Sequence, residues 1–368
     1  MGRVIGICNL HDDPSLGLLT TSRPLGAVTF LGRYGLIDFT LSNFSNSGID
    51  KMYVLVKNGM LPIKNHIGSG SIWNNNTITG SLSLLINEEG LSNPKFNTDI
   101  ANLKANLRDS NFDYAVIAPS FILASINYVE YINKHIDCKN DISVLYSKVT
   151  DAKQEYTNCD NLQIINSEVV GVKKNTGNLN QLTVSIESFI ISKNALLNLI
   201  NDASQISETY NLRDIISYKI NNNGLRINAL EFKGFFAPIL DLEHYITYSF
   251  KMLDYKISSK LFVKGWPIYT TTHNTPPAIY GSKAQVNNSF IANGAIINGK
   301  VKNSIISRDV YIDEKAEVTN CIIFTGSIVG KDVKMKYVLT DKEVNVSENK
   351  SNIGKPEQYL YYKHGAKI

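Results

Sequence analysis

The chain has 368 residues, which is more than one ordinary compact domain needs and enough for two. Hydrophobic residues make up 43% of it and charged residues 19%, which excludes a disordered chain and a coiled coil. The net charge is +4 with no block of Lys or Arg, so nothing in the composition indicates nucleic-acid binding. No segment approaches the ~18 apolar residues of a membrane helix, no signal-like pattern opens the chain, and its four cysteines stand singly. We therefore expect a cytoplasmic protein that binds neither nucleic acid nor membrane.

The N-terminal part alternates short apolar strands with amphipathic helices. Strands are predicted at residues 4–8, 52–56, 114–117, 142–146, 185–191 and 225–231, and helices at 39–47, 98–109, 127–135, 195–200 and 240–253. This β-α-β alternation predicts a largely parallel sheet with helices on both faces. We place this α/β domain at residues 1–255.

The first strand runs into an acidic loop, NLHDDPSLGLL, at residues 9–19. A loop that closes on phosphates needs glycines, since its backbone N–H groups must approach the anion. Here Gly17 is the only glycine of the loop, and Asp12 and Asp13 would repel a triphosphate. The segment 11–13 can also be a plain surface loop that caps a helix.

The C-terminal part carries an internal repeat. Its units start at Val286, Val301, Val318 and Met335, which are 15, 17 and 17 residues apart. Inside each unit a branched apolar residue recurs about six positions on, as in Ile306 and Ile312. This period predicts a solenoid of three short strands per coil rather than an ordinary β-rich tail. We place the solenoid at residues 282–368, after a linker at 256–281 that contains consecutive prolines.

Three segments carry a resemblance to a known family. They read RYGLIDFTLSN at 33–43, FSNSGID at 44–50 and HIGSGSIW at 66–73. They resemble segments of the glucose-1-phosphate adenylyltransferases, also called ADP-glucose pyrophosphorylases, and the resemblance extends over nearly the whole chain. It implies an α/β fold with a Rossmann-like, GT-A-like nucleotidyltransferase domain built on a mixed sheet, followed by a left-handed parallel β-helix.

Four features that the resemblance implies for an active enzyme are changed here. The acidic loop at 9–19 replaces a glycine-rich loop similar to GGxGTRL. The first Mg²⁺-binding aspartate belongs to a family segment like GDHIY, where this chain reads PSFIL with Ser120 at the aspartate. The second belongs to a segment like GYWKDVGT and aligns with Pro238, and no sugar-phosphate lysine in a motif like EKP occurs between 161 and 188. Because Mg²⁺ prefers anionic oxygen ligands, we interpret Ser120 and Pro238 as degenerate catalytic positions.

These changes predict a catalytically impaired regulatory subunit of the GlgD type within that family. The resemblance implies a catalytic ADP-glucose pyrophosphorylase subunit as its partner, in a heterotetramer that makes ADP-glucose from ATP and glucose 1-phosphate for glycogen synthesis. We expect this chain to hold no cofactor and no metal, and its catalytic partner to hold Mg²⁺. An alternative is an active Mg²⁺-dependent adenylyltransferase with a displaced metal site at Asp113 or Asp241. A solenoid acyltransferase would need a catalytic histidine on a coil, and residues 286–348 contain no histidine.

Other family positions are retained and indicate binding rather than catalysis. Arg23 and Arg33 stand where the family is basic, and we predict that they contact a sugar-phosphate effector near the domain junction. His66 and Trp73 are predicted in a subunit interface or in a loop that lines the cleft. A core position is the alternative for Trp73.

Overall fold

The N-terminal domain is built from strands and helices that alternate along the chain. The computed structural model describes residues 2–10, 13–57, 61–74, 80–87, 98–108, 110–206, 212–222, 225 and 227–368. The strands of this domain are β1 (Val4–Asn9), β2 (Thr29–Phe30), β3 (Tyr34–Gly35), β4 (Lys51–Lys57), β5 (Ser81–Asn87), β6 (Tyr114–Pro119), β7 (Ile122–Ala124), β8 (Ile142–Val149), β9 (Asp160–Ile165), β10 (Glu168–Lys174), β11 (Leu182–Ser192), β12 (Ile227–Glu231) and β13 (Phe236–Pro238). The helices are α1 (Ile37–Asn46), α2 (Leu61–Ile67), α3 (Thr98–Leu107), α4 (Tyr128–Cys138), α5 (Ala152–Glu155), α6 (Lys193–Ile206), α7 (Leu212–Asn221), α8 (Leu242–Lys251) and α9 (Tyr255–Leu261).

Nine of the described strands form one mixed sheet in the order β5-β4-β1-β6-β11-β8-β12-β10-β9. Parallel pairing joins β5, β4, β1 and β6, whereas β11 runs antiparallel to both β6 and β8. The mixed sheet implied by the resemblance is therefore confirmed. The carboxyl ends of β1, β4 and β6 lie at one edge of the sheet, so the loops that follow these strands meet there.

Apolar side chains cover both faces of the sheet. Along β1, Ile5 and Ile7 belong to the core on one face and Cys8 to the core on the other. Along β4, Val54 and Leu55 alternate in the same way, as the two-residue period of a strand requires. Helices α3, α6 and α7 pack on the first face and α1 packs on the second. Within the described ranges, no helix is long and apolar enough to cross a membrane.

The C-terminal domain is a left-handed parallel β-helix, as predicted. Its strands are β14 (Ile279–Tyr280), β15 (Gln285–Asn287), β16 (Phe290–Ile291), β17 (Ile296–Ile297), β18 (Lys300–Lys302), β19 (Ile305–Ile306), β20 (Tyr311–Ile312), β21 (Glu317–Thr319), β22 (Ile322–Ile323), β23 (Ile328–Val329), β24 (Lys334–Lys336), β25 (Val338–Thr340), β26 (Asn345–Val346), β27 (Ser351–Ile353) and β28 (Leu360–Tyr362). Every third strand joins the same sheet, which gives three parallel five-stranded sheets. The register pairs Val286 with Val301 and Val301 with Val318, so the sequence repeats lie directly above one another. Ile306 and Ile312 are fully buried inside the coils.

The two domains share one apolar core. Four buried solenoid residues belong to the same cluster as the α1 face of the sheet: Ile305, Ile322, Phe324 and Leu339. Gly32, with φ of +71°, approaches the solenoid so closely that a Cβ would lie 2.8 Å from the carbonyl oxygen of Ile306. A side chain does not fit there. Helix α9 lies almost wholly within the segment 256–281 predicted as a linker, and β14 pairs with β17 before residue 282 is reached.

Candidate functional site

The carboxyl edge of the sheet holds the first predicted catalytic position. Strands β1 and β6 end side by side, with Asn9 opposite Pro119, and Ser120 follows. The buried Ser120 hydroxyl donates a 2.6 Å hydrogen bond to Oδ2 of Asp13, which lies in the loop after β1. The two loops are thus joined, and the loop that the family resemblance implies as a glycine-rich phosphate loop carries a carboxylate here. His11 and Asp12 of the acidic loop lie outside the described residues.

The second predicted catalytic position lies in a strand pair that follows this edge. Strand β13 pairs antiparallel with β7, which puts the buried Pro238 opposite Ile122. Pro238 has no side-chain oxygen, and the hydroxyl of Ser120 is neutral and already donates to Asp13. These residues do not fit Mg²⁺, which requires oxygen ligands and favours carboxylates. In the part of the chain that the structure describes, no three His, Cys, Asp or Glu side chains are grouped to hold a metal ion.

The two aspartates of the displaced-site alternative both take part in local structure. Asp113 precedes β6, and its Oδ2 accepts the backbone N–H of Arg3 at 2.7 Å. The six residues of β6, at ~3.3 Å each, put Asp113 roughly 20 Å from the carboxyl edge. Asp241 is the N-cap of α8, where its Oδ1 accepts the backbone N–H of His244 at 2.8 Å and lies 2.7 Å from Nδ1 of that ring.

A buried ionic cluster near the same edge was not predicted. Glu187 of β11 is 6% exposed, and its Oε2 lies 3.0 Å from Nη1 of Arg213 on α7. Nη2 of Arg213 lies 3.1 Å from Asp160, whose other oxygen lies 2.7 Å from Nζ of Lys174. Burial acts to lower the pKa of Arg213, but Glu187 and Asp160 outweigh it and the pKa is raised. The signal in the sequence is that Glu187 is the one charged residue of an otherwise apolar and hydroxyl-bearing strand.

A cavity lies between the two domains, and we call it the junction cavity. Its volume is about 360 Å³. Five basic side chains line it: Arg33 and His66 from the α/β domain, His273 from the linker segment, and Arg308 and Lys342 from the solenoid. The structure therefore brings two of the predicted residues, Arg33 and His66, to one place.

Cations dominate the electrostatics of the junction cavity. Burial and the neighbouring Arg33 lower the pKa of Arg308, and its Nε has no hydrogen-bond partner among the described residues. Burial, together with nearby cations, also lowers the pKa values of Lys342 and His273. Asp309 is the acidic residue of the lining. An anion bound here would relieve the repulsion among Arg33, Arg308 and Lys342 and gain charge-assisted hydrogen bonds.

Arg23 lies beside the junction cavity but contacts a carboxylate of the chain itself. Its Nη2 is 2.7 Å from both oxygens of Asp341 in the solenoid, and both side chains are buried. Asp341 precedes Lys342, which lines the cavity, whereas Arg23 and Asp341 are not part of the lining. This corrects the prediction that Arg23 contacts an effector directly, because its guanidinium is buried and faces Asp341.

His66 and Trp73 have different environments. Nε2 of His66 lies 2.5 Å from Oδ1 of the fully buried Asp38, whose Oδ2 accepts the backbone N–H of Gly35 at 2.8 Å. The Thr271 hydroxyl donates to the His66 carbonyl, which ties this loop to the linker segment. Trp73 is 1% exposed and its ring centroid lies 6.3 Å from that of His66. The core alternative therefore describes Trp73, and a buried indole cannot contact a second subunit.

Comparison with known proteins agrees with this arrangement. A nucleotidyl transferase family model matches residues 16–156, and a model of the GlmU-like C-terminal hexapeptide region matches residues 276–359. The glycogen biosynthesis protein GlgD of Bacillus subtilis is 30% identical over 355 residues, which covers 95% of this chain and 92% of that protein. Glucose-1-phosphate adenylyltransferases of Lachnospira eligens and Clostridium acetobutylicum are each 29% identical over 81% of this chain, and over 71% and 79% of their own lengths.

Proposed function

This chain belongs to the family of GlgD and the glucose-1-phosphate adenylyltransferases, and on that basis we propose that it is a catalytically impaired regulatory subunit. It pairs in the cytoplasm with a catalytic subunit of the same family. The resulting heterotetramer makes ADP-glucose from ATP and glucose 1-phosphate for glycogen synthesis. This chain needs no metal, and the catalytic partner holds the Mg²⁺.

The observation that carries the proposal is the hydrogen bond between Ser120 and Asp13. Adenylyl transfer requires a triphosphate and a metal at this edge of the sheet. A carboxylate ~4–6 Å from a phosphate opposes its binding by about 1 kcal/mol or more, even at a high effective dielectric constant. A metal ion contributes several kcal/mol of transition-state stabilisation, on the order of 10²-fold or more in rate. Neither Ser120 nor Pro238 offers a carboxylate to hold that metal.

The junction cavity supports a second part of the proposal, which is binding of a sugar-phosphate effector. Its lining includes Arg33, Arg308 and Lys342, and arginine forms bidentate hydrogen bonds with phosphate oxygens. A ligand in this cavity contacts the α/β domain and the solenoid at once. It therefore stabilises one relative position of the domains, which is how a subunit without catalysis can respond to an effector.

A reconstitution assay tests the proposal. ADP-glucose formation is measured for this chain alone, for the catalytic subunit of the same cell alone, and for an equimolar mixture. The mixture is titrated with sugar phosphates, and an unrelated protein at the same concentration replaces this chain as a control. We expect no product from this chain alone and a higher or more effector-sensitive rate from the mixture.

The other outcomes identify the alternatives. Product formed by this chain alone and abolished by EDTA would establish an active enzyme with a displaced metal site. The described residues do not favour that reading, since Asp113 and Asp241 serve as local hydrogen-bond acceptors. A mixture whose rate and effector response equal those of the catalytic subunit alone would contradict the regulatory role.

A further inference from the structure

A second cavity, smaller than the junction cavity, lies at the carboxyl edge of the sheet beside α7. Its volume is about 40 Å³, which is room for a few water molecules. Apolar side chains such as Ile7, Leu55 and Phe121 form most of its wall. Glu187 and Arg213 are the charged residues in that wall, and they face each other at 3.0 Å. The cation of this cavity is therefore already bound by a carboxylate of the same chain.

Glu187 has a backbone conformation that favours glycine. Its φ is +54°, in the left-handed region, where a Cβ crowds the following carbonyl oxygen. The register between β11 and β8 shifts between Ser185 and Phe189, so a bulge turns the strand at this residue. The Ser185 hydroxyl accepts the backbone N–H of Glu187 at 3.0 Å and supports the bulge. Strained, buried conformations of this kind persist where the surrounding structure fixes them, and they are concentrated at functional sites.

Arg213 is oriented toward Glu187 by a second contact. Its Nη2 lies 3.1 Å from Asp160, and its Nη1 forms the ion pair with Glu187 in the cavity wall. With Nη2 engaged by Asp160, Nη1 is the nitrogen that can donate a charge-assisted hydrogen bond to a phosphate oxygen in this cavity. In this chain the Glu187 carboxylate supplies the negative charge instead.

We propose that Glu187 is an internal plug, whose carboxylate takes the place of a phosphate ion on Arg213 and closes this cavity to small anions of that kind. The plug has two components, the negative charge next to Arg213 and the volume of the side chain in a cavity of about 40 Å³. The proposal concerns ligand binding by this chain alone. Its outcome is independent of whether the chain regulates a catalytic partner. The reconstitution assay measures the rate of ADP-glucose formation, whereas the plug is tested by calorimetric binding to this chain alone.

The test removes the plug and counts bound ligand. Inorganic phosphate is titrated by calorimetry into the wild-type chain, Glu187→Gly, and the double variant Glu187→Gly/Arg213→Gln. We expect Glu187→Gly to bind one more molecule per chain than wild type. The dissociation constant of that molecule should be at least about tenfold lower than that of any residual binding in the double variant. Lys139→Gly is the matched control, since exposed Lys139 also has a positive φ, +52°, and lines neither this cavity nor the junction cavity. It should bind the wild-type number of molecules.

Two results would overturn the plug. One is an equal number of bound molecules for wild type and Glu187→Gly, and the other is a gain that persists in the double variant. Circular dichroism and thermal melting establish that each variant is folded. If Glu187→Gly does not fold, Glu187→Ala is titrated in its place, because it removes the carboxylate and most of the volume without adding backbone freedom. A gain with Glu187→Ala supports the plug, and no gain rejects it.

Discussion

Arg23 and Asp341 form a buried ion pair across the domain junction, although 318 residues of chain separate them. The Tyr361 hydroxyl donates a further hydrogen bond to Asp341 at 3.1 Å. A buried charge without a partner is strongly unfavourable. The pair therefore stays together mainly because separating it would leave an unpaired buried charge, and less because of a net attraction between the two groups. The pair therefore specifies how the solenoid docks on the α/β domain.

The ion pair predicts a large stability cost when one partner is removed. Arg23→Met should lower the free energy of unfolding by ~3–5 kcal/mol, because the Asp341 carboxylate stays buried without its cation. Urea unfolding measures the change. Lys300→Met is the control, since Lys300 and Glu317 form an exposed pair at 3.2 Å on the solenoid, and its loss should cost less than ~1 kcal/mol. Equal costs for the two variants would show that the Arg23 pair contributes no more than a surface pair.

The contact between Ser120 and Asp13 predicts the effect of restoring an aspartate. Ser120→Asp would place two carboxylates at hydrogen-bonding distance, and their repulsion raises the pKa of one of them in the folded state. A folded-state pKa above the unfolded value destabilises the chain as the pH rises. The melting temperature of the variant should therefore fall furthest below wild type at neutral pH and recover as the pH falls toward ~4. The matched change Ser120→Ala removes the hydroxyl without adding charge, so its deficit should not depend on pH in this way.

His135 predicts a pH dependence of stability. Burial lowers its pKa from the usual 6.5, an effect that nearby Asp141 only partly offsets. Its Nδ1 lies 2.8 Å from the Ser143 hydroxyl, and the Tyr114 ring packs edge-on against it. Because the unfolded chain takes up the proton more readily, this contribution is fully present above about pH 6.5 and is lost as the pH falls below it.

His135→Gln removes this titration. The free energy of unfolding of the variant is measured in urea between about pH 7 and pH 5, and it should fall less steeply with decreasing pH than that of wild type. The difference in slope corresponds to at most one proton taken up on unfolding. At higher pH the two curves should keep a constant separation. Parallel curves over the whole range would mean that His135 does not contribute to acid sensitivity.

The junction cavity predicts which substitution weakens effector binding. Arg308→Gln should raise the dissociation constant of a bound sugar phosphate at least about tenfold, equal to ~1.4 kcal/mol, because a charge-assisted hydrogen bond is lost. Calorimetry with a panel of sugar monophosphates and bisphosphates measures it. Lys302→Gln removes an exposed solenoid cation outside the cavity lining and should bind as wild type does. Identical affinities for both variants would place the anion site elsewhere.

The solenoid could be predicted from sequence because its determinants are local. Each coil repeats within 15 or 17 residues, and the inward position of Ile306 and Ile312 follows from their spacing alone. The first strand was equally clear, since Ile5 and Ile7 sit in an apolar run. Ser120 and Pro238 were found through the family resemblance, and the structure shows what each contacts.

The remaining features depend on three-dimensional contacts that no local pattern encodes. The partner of Arg23 lies 318 residues away, so the sequence indicated a basic residue and not its engagement by Asp341. The conformation of Glu187 is set by the bulge in β11 and by Arg213 on another element. His273 and Arg308 meet in one cavity because the solenoid folds back on the α/β domain.

The core shared between the domains has a consequence for how such a chain can be divided. Ile305, Phe324 and Leu339 of the solenoid are buried against the α/β domain. Either domain expressed alone would therefore expose a large apolar surface to water. Heat should therefore melt the molecule in a single calorimetric transition. For the same reason, a chimaera that carries the solenoid of another subunit should fold and stay soluble only if the residues of the α/β domain that contact the solenoid are replaced as well.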